Sequence, residues 1–314
     1  MDKPSATITR DFGELEQHRS ELTAYCYRML GSPFDAEDAV QDTLVRAWKN
    51  IDKFEERSSL KSWLYRIATN VCLDMIKSPQ GRARPMDLGP ASPPLEQHLN
   101  TEPEAYWLEP MPDPADAAIA SDTIRLAFVA ALQHLPPRQR ATLILCEVLK
   151  WSAQEVSELL GTSVASVNSA LQRARAKIES TNLQETTPLS EIDRGLLERY
   201  VKAFEAYDFE ALTSLIREDA IQSMPPFDMW LQGRDDVFAW WAGPGIACRG
   251  SRVIQTMSAN GSPAFGQYKI DPKGGYAPWA LQVLEIEDGE IREITFFLST
   301  DRLFPLFGLP MHLD

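Results

Sequence analysis

Nothing in this sequence approaches the run of about 20 apolar residues that crosses a bilayer, although 44% of its residues are hydrophobic. Sizeable cores are expected, and a membrane partner is not. Met1 to Arg10 lacks the apolar centre of a signal peptide. Cysteine is scarce: Cys26, Cys72, Cys146 and Cys248 are scattered without CxxC spacing. Of the four histidines, none stands at finger spacing from a cysteine, so no structural zinc, other metal or cofactor is expected. A reducing, cytoplasmic setting fits best. Positive charge is also short, with 31 basic against 45 acidic side chains and a net charge of −14. Only residues 120–180 carry a basic surplus, 7 against 5, whereas residues 181–314 carry 11 against 20. Such a chain would repel a phosphate backbone over most of its length. Any work on nucleic acid then needs a basic partner, which points to a module within an assembly.

What is present divides the 314 residues into several domains. From about Glu14 to Ile76 apolar positions recur at helical spacing, interrupted at Gly31-Ser32-Pro33. Ser78 to Pro114 then collects nine prolines among acidic and small polar residues, a composition read as a linker unable to fold alone. Helices resume at about Ala117 and run to Ser180. A polar link, Thr181 to Ser190, leads to an amphipathic helix predicted over Ile192 to Ile216. Alternating segments follow, among them Trp279 to Ile286 and Ile291 to Leu298, joined by the hairpin signal Glu287-Asp288-Gly289-Glu290.

The strongest motif lies in Trp151 to Lys177. Ser152 followed by Glu155 forms a capping box, Val156, Leu159 and Leu160 point inward, and Gly161 ends the helix. Ser163 can cap a second helix with Val167, Leu171, Ala174 and Ile178 inside. Its other face presents Ser166, Asn168, Ser169, Gln172 and Arg173, then Arg175 and Lys177. A helix-turn-helix places such a second helix in the major groove. Asn and Gln suit adenine and Arg suits guanine, while Arg175 and Lys177 are placed for phosphates. A capped helical hairpin with a solvated basic face is the plain alternative. The stretch LPPRQRATLILCEVLKWSAQEVSELLGTSVASVNSALQRARAKI resembles region 4 of extracytoplasmic-function (ECF) sigma factors, which reads the −35 promoter element. Asn168 and Ala170 stand where relatives often carry basic residues, so the base preference is not transferred.

Asp35-Ala36-Glu37-Asp38-Ala39-Val40-Gln41-Asp42 opens another helix, acidic where the helix dipole favours it. With the following Phe54 to Ser62 and WLYRIATNVCLDMIK, it resembles sigma region 2. That resemblance implies that Asp35, Glu37, Asp38, Gln41 and Asp42 face the clamp of core RNA polymerase. It implies also that Glu55 to Ser59 holds a flipped promoter base. Phe54, Trp63 and Tyr65 offer aromatic surface, although Trp63, Ile67 and Val71 read as core. Lys61, Arg66 and Asn70 are the better candidates for −10 DNA. In the family the segment between the two regions threads the polymerase, which would place Glu96, Glu102, Glu104 and Glu109 in a basic channel.

Beyond region 4, a helix followed by strands suits an α+β cone. Tyr207 to Leu212, Asp219-Ala220-Ile221, Ser223 to Phe227 with Trp230 and Gly233, and the final hairpin resemble SnoaL-like domains of the NTF2-like superfamily. Region 2, region 4 and such a domain together resemble sigma factors of the sigma-G and sigma-J type. The expected fold is multidomain: a region 2 bundle (10–78), a linker (79–117), a region 4 helix-turn-helix (118–180), a second linker (181–191) and the cone (192–314). The expected function is promoter recognition and transcription initiation, with no reaction of its own. A cone pocket for a small-molecule ligand would draw on Met224, Asp228, Trp230 and Trp279. The apolar tail Ser299 to Phe307 is expected to dock on region 2 or the polymerase, an intramolecular regulatory contact. Two rivals remain: a cyclase-like or isomerase-like enzyme with a DNA-binding arm, and a stand-alone helix-turn-helix repressor.

Overall fold

A computed structural model describes residues 12–54, 59–76, 81–113, 125–179, 191–192 and 194–314. They form two compact units, one of residues up to 81 with 131–179, the other of 82–113, 125–130 and 191–314. Of the loop expected to hold a flipped base, Glu55 to Ser59, residues 55–58 lie outside the described residues, as does the link 181–190.

The first unit is all helical. Its elements are α1 (Phe12–Glu16), α2 (Arg19–Leu30), α3 (Pro33–Lys49) and α4 (Leu60–Met75). Gly31, at φ +74°, closes α2, and its N–H donates to the Tyr27 carbonyl. Pro33 then starts α3 where no N–H is needed, with the Ser32 hydroxyl accepting from the Asp35 N–H. Leu22, Tyr25, Val40, Leu44, Leu64, Ala68 and Val71 are buried between α2, α3 and α4. The short α5 (Pro85–Leu88) belongs to the second unit, and α6 (Leu126–Gln133) leads into α7 (Pro137–Leu143), α8 (Ala153–Leu160) and α9 (Val164–Glu179).

Arg140 of α7 joins the two halves of this unit. It is 1% exposed, and its guanidinium donates to the Gln133 side chain (2.6 Å) and to the carbonyls of Gln133, Leu135 and Met29. Gly81 lies against the same socket: a Cβ there would sit 2.4 Å from the Gln133 carbonyl oxygen. Only glycine allows that approach.

The second unit is α+β. Its sheet runs β2-β1-β6-β5-β4-β3, with β1 (Ile216–Ser223), β2 (Trp230–Gln232), β3 (Arg252–Gln255), β4 (Ala264–Ile270), β5 (Tyr276–Glu287) and β6 (Glu290–Phe297). Neighbours are antiparallel except β1 and β6. The β5–β6 turn falls on Asp288-Gly289, both at positive φ as a two-residue hairpin requires. Helices α10 (Arg194–Ala206), α11 (Phe209–Thr213) and α12 (Arg234–Ala242) bury Leu197, Tyr200, Phe204, Leu212 and Trp241 with the sheet's Leu231, Leu284 and Ile294.

The structure departs from the sequence reading in three places. The helix expected over Ile192 to Ile216 breaks at Tyr207 (φ +55°), where Asp208 caps α11 by accepting from the Ala211 N–H, and Ile216 already belongs to β1. The tail does not project. Its helix α13 (Thr300–Leu306) lies on the cone's own sheet, with Phe304 edge-on to Tyr268 at 5.1 Å and Leu303, Phe304 and Phe307 buried. The proline-rich stretch, read as a linker, is ordered against the cone. Trp107, Leu108 and Met111 are buried, and the Ser92, Glu102 and Asp113 N–H groups donate to the Trp230, Pro226 and Ser258 carbonyls. Its prolines keep helices to single short turns such as α5, and its other donors bond partly within the stretch and partly to the cone.

Candidate nucleic-acid interface and cavity

The helix-turn-helix is built from its caps outward. The Ser152 hydroxyl accepts from the Glu155 N–H, and the Glu155 carboxylate accepts from the Ser152 N–H at 2.8 Å and from its hydroxyl at 2.7 Å. Those bonds hold the Glu155 carboxyl below its usual value. Gly161 takes φ +62° with nothing near its Cβ position, so the turn needs glycine for its backbone alone. On α9, Val167 and Ala174 are buried, while Ser166, Asn168, Ser169, Gln172, Arg173, Arg175 and Lys177 are all exposed. Arg173 donates to the Ser169 hydroxyl (2.7 Å), which aligns two of these groups. Arg175, however, is paired with Glu147 before the helix-turn-helix.

The acidic helix α3 presents a mixed face. Glu37, Asp38 and Gln41 are exposed, while Asp35 and Asp42 are half-buried. Glu37 pairs with Arg19 and Asp42 with Arg46, each at 2.7 Å. At 3.6 residues per turn these five residues, Val45 and Trp48 fall within an arc of about 160°. Val45 is 41% exposed and Trp48 55%. Neither was singled out from the sequence; their spacing from Asp38 (i+7, i+10) was the available signal.

The three candidates on α4 do not share one face. Asn70 and Arg66 lie together, with Asn70 bordering a cleft of about 400 Å³ formed with Arg46, Asn50, Trp63 and Ile67. Trp63 and Ile67 are therefore half-exposed cleft walls, and of the three residues expected in the core only Val71 is fully buried there. Lys61 is turned the other way, paired with Glu21 of α2. Tyr65 is no surface at all: it is fully buried between Tyr25 and Trp151, with centroids 5.1 and 5.3 Å away. Arg66 donates to the Glu158 carbonyl of α8 at 3.0 Å. The α4 helix and the helix-turn-helix thus touch within one unit.

The cone encloses a cavity of about 290 Å³ walled by Phe204, Phe227, Trp240, Trp241, Trp279 and Phe296 with Met224 and Leu99. Two expected lining residues, Met224 and Trp279, are there. Asp228 and Trp230 are not. Asp228 accepts from the Asn100 side chain at 3.4 Å, and the Trp230 indole donates to the Gly89 carbonyl at 2.9 Å. Both engage the proline-rich stretch, a partner that strand periodicity cannot reveal. Of the four glutamates expected in a basic channel, Glu109 is 4% exposed and ion-paired with Arg82 and Arg302. Among the described residues no cluster of His, Cys, Asp or Glu is arranged to hold a metal, and no helix is long and apolar enough to cross a membrane.

Comparison with known proteins finds three families along the chain. Family profiles match Sigma-70 region 2 over residues 15–82, Sigma-70 region 4 over 125–178 and a SnoaL-like domain over 197–294. The ECF RNA polymerase sigma factor SigG of Mycobacterium tuberculosis is 43% identical over 308 residues, covering 94% of this chain and 82% of the relative. SigW of Bacillus subtilis is 30% identical over 164 residues, 50% of this chain and 81% of its own. The crystal structure of the extracytoplasmic function sigma factor SigJ of Mycobacterium tuberculosis superposes with a TM-score of 0.62 at 22% identity, covering 96% of this chain and all of that one.

Proposed function

The chain belongs to the ECF RNA polymerase sigma factors, and from that premise we propose how its surfaces divide the work. The α3 face binds core RNA polymerase. Glu37, Asp38 and Gln41 meet basic groups on the enzyme, and Val45 and Trp48 supply the apolar contact. A large exposed aromatic among polar neighbours suits the desolvated centre of an interface.

Helix α9 reads the −35 element. Asn168, Gln172 and Arg173 face base edges, and Lys177 and Arg175 face the backbone once Arg175 leaves Glu147. The cleft bordered by Asn70, with Arg66 beside it, takes −10 DNA, its Trp63 wall offering a stacking surface to an unpaired base. Lys61 points away from that cleft and plays no part in reading it. All of this takes place in the cytoplasm, where the enzyme and promoter DNA are.

The observation that carries this reading is the pairing of a capped helix-turn-helix, polar face outward, with a second helical module that offers both an acidic-apolar face and a base-sized cleft. The affinity of core polymerase for the chain tests it: Trp48→Ala together with Gln41→Ala should weaken binding at least tenfold with the fold intact, and unchanged affinity would contradict it.

The SnoaL-like domain modulates this activity rather than catalysing a reaction. Asp228, the carboxylate considered for an acid or base, is tied to the connecting segment outside the cavity, and burial raises the Tyr207 phenol, which is no base near neutrality. Its regulatory contact is made with the connecting segment 82–113, which it holds, rather than through the tail.

A further inference from the structure

We propose that Glu147 is a specificity-determining residue for promoter reading: its carboxylate occupies Arg175 and withholds that guanidinium from DNA until α9 sits on its own element. The proposal rests on the reading above, in which Arg175 meets the DNA backbone. Arg175 stands on α9 seven residues after Asn168. That spacing is two turns along one face, or about 10 Å at a rise of 1.5 Å per residue. It lies in line with the base-reading residues, where the helix leaves the groove and passes the phosphates.

The place of Glu147 is unusual for an acid. The helix that starts at Pro137 ends in a π turn, Ile144–Val148, in which the Leu149 N–H donates to the Ile144 carbonyl at 3.0 Å. Such turns are rare and appear mostly at functional sites. A carboxylate in the last turn of a helix also meets the negative end of its dipole. Folding alone gives no reason for an acid there. What Glu147 meets is Arg175, whose Nε donates to its carboxylate at 2.9 Å while Nη2 donates to the same oxygen. The Arg175 and Glu147 side chains keep 55% and 37% of their exposure. So exposed a pair adds little stability and is a poor staple between α7 and α9. Its carboxylate oxygen instead stands where a phosphate oxygen would.

The consequence follows from what DNA offers. A backbone phosphate is the same in every sequence, so an unrestrained Arg175 would strengthen the grip on any duplex alike. Held by Glu147, it has its charge balanced and gives nothing to a duplex that α9 merely touches. Exchanging the carboxylate for a phosphate needs that phosphate at hydrogen-bond distance. Helix α9 reaches such depth where Asn168, Gln172 and Arg173 find their bases. The pair therefore subtracts more from sequence-independent binding than from promoter binding, and specificity is the difference between the two.

The test uses holoenzyme assembled from core polymerase and the full chain, on a promoter duplex and on the same duplex with its −35 element scrambled. Glu147→Gln should tighten binding to the scrambled duplex about threefold, within the worth of an exposed pair, and promoter binding by less than about 1.5-fold. On the scrambled duplex the slope of log affinity against log salt should steepen by about 0.9, one added phosphate contact; on the promoter it should not change. With Arg175→Ala in place, Glu147→Gln should alter neither affinity nor slope. An equal gain on both duplexes, no gain, or a gain that persists without Arg175 would overturn the proposal. A fall in promoter affinity would mark Glu147 as a structural staple and overturn it too. Arg175→Ala alone separates this from the reading beneath it. If that variant leaves promoter affinity unchanged, the backbone contact itself falls; if it weakens promoter binding while Glu147→Gln acts alike on both duplexes, only the role of Glu147 falls.

Discussion

Arg140 has almost no solvent access, and its charge is met by carbonyl oxygens from α2 and from the turn before α7. Burial lowers its pKa to about 10, so it stays protonated at neutral pH. Removing the guanidinium would leave those carbonyls without a donor. Arg140→Met should cost about 2–4 kcal/mol in urea unfolding of the helical unit, and a loss below 0.5 kcal/mol would show that the socket is not structural. Glu285 is the reverse case. It faces Glu293 across β5 and β6 and accepts from Ser262, with Arg84 and Arg125 near. Burial, then Glu293, raises its carboxyl from 4.5 to about 7. The folded group keeps its proton up to about pH 7 while the unfolded one loses it near 4.5. Stability contributed by this group therefore falls as pH rises between those values and is level above them. Glu285→Gln should be stabilising at pH 8 by on the order of 1 kcal/mol, the half-buried site being partly screened, and neutral at pH 4. Denaturant melts at both pH values decide it. Neither role was visible in the sequence. Arg140 sits in a run that reads correctly as a helix start, but what buries it is Met29, far back in the chain.

Elements held in place by their own neighbours were legible. The Ser152–Glu155 box, Gly161 and the Asp288-Gly289 turn each set local backbone geometry through adjacent residues, and each stands where the pattern put it. The exposed face of α9 follows directly. Gln172→Ala and Arg173→Ala should each relax base preference at one −35 position by roughly 5- to 150-fold, the worth of a bidentate pair, read by competition binding of promoter variants. A uniform loss over all sequences would instead mark them as phosphate contacts. Elements decided by distant partners were not legible. Nine prolines announce the absence of long helices in the connecting segment, but not that Trp107 is buried or that Met111 bonds to Asn260 of the cone. The tail likewise reads as an apolar peptide that docks on region 2 or the polymerase until β5 supplies its bed. Glu109→Ala should loosen this attachment by removing the ion pairs to Arg82 and Arg302. Proteolysis within residues 82–113 should then quicken severalfold, and an unchanged rate would show the pairs to be idle.

At the scale of the whole molecule, two promoter elements set a distance that the helical unit does not meet. Elements named −35 and −10 lie about 25 base pairs apart, or about 85 Å along B-form DNA at 3.4 Å per step. Yet Arg66 of α4 reaches Glu158 of α8 at 3.0 Å. Reading both elements requires that contact and the Tyr65–Trp151 stack to part. Fluorescence labels at positions 74 and 168 should separate beyond about 50 Å when core polymerase is added; an unchanged distance would mean that only one module engages DNA. The acidic balance of the chain, −14 overall, fits this dependence on a larger basic partner. Run-off transcription with purified core polymerase, the full chain and the chain ended after Ser180 tests the central claim most directly. The expected result is initiation at defined start sites that core enzyme alone does not use, with output altered by the truncation. Start sites identical to those of core enzyme alone would contradict it.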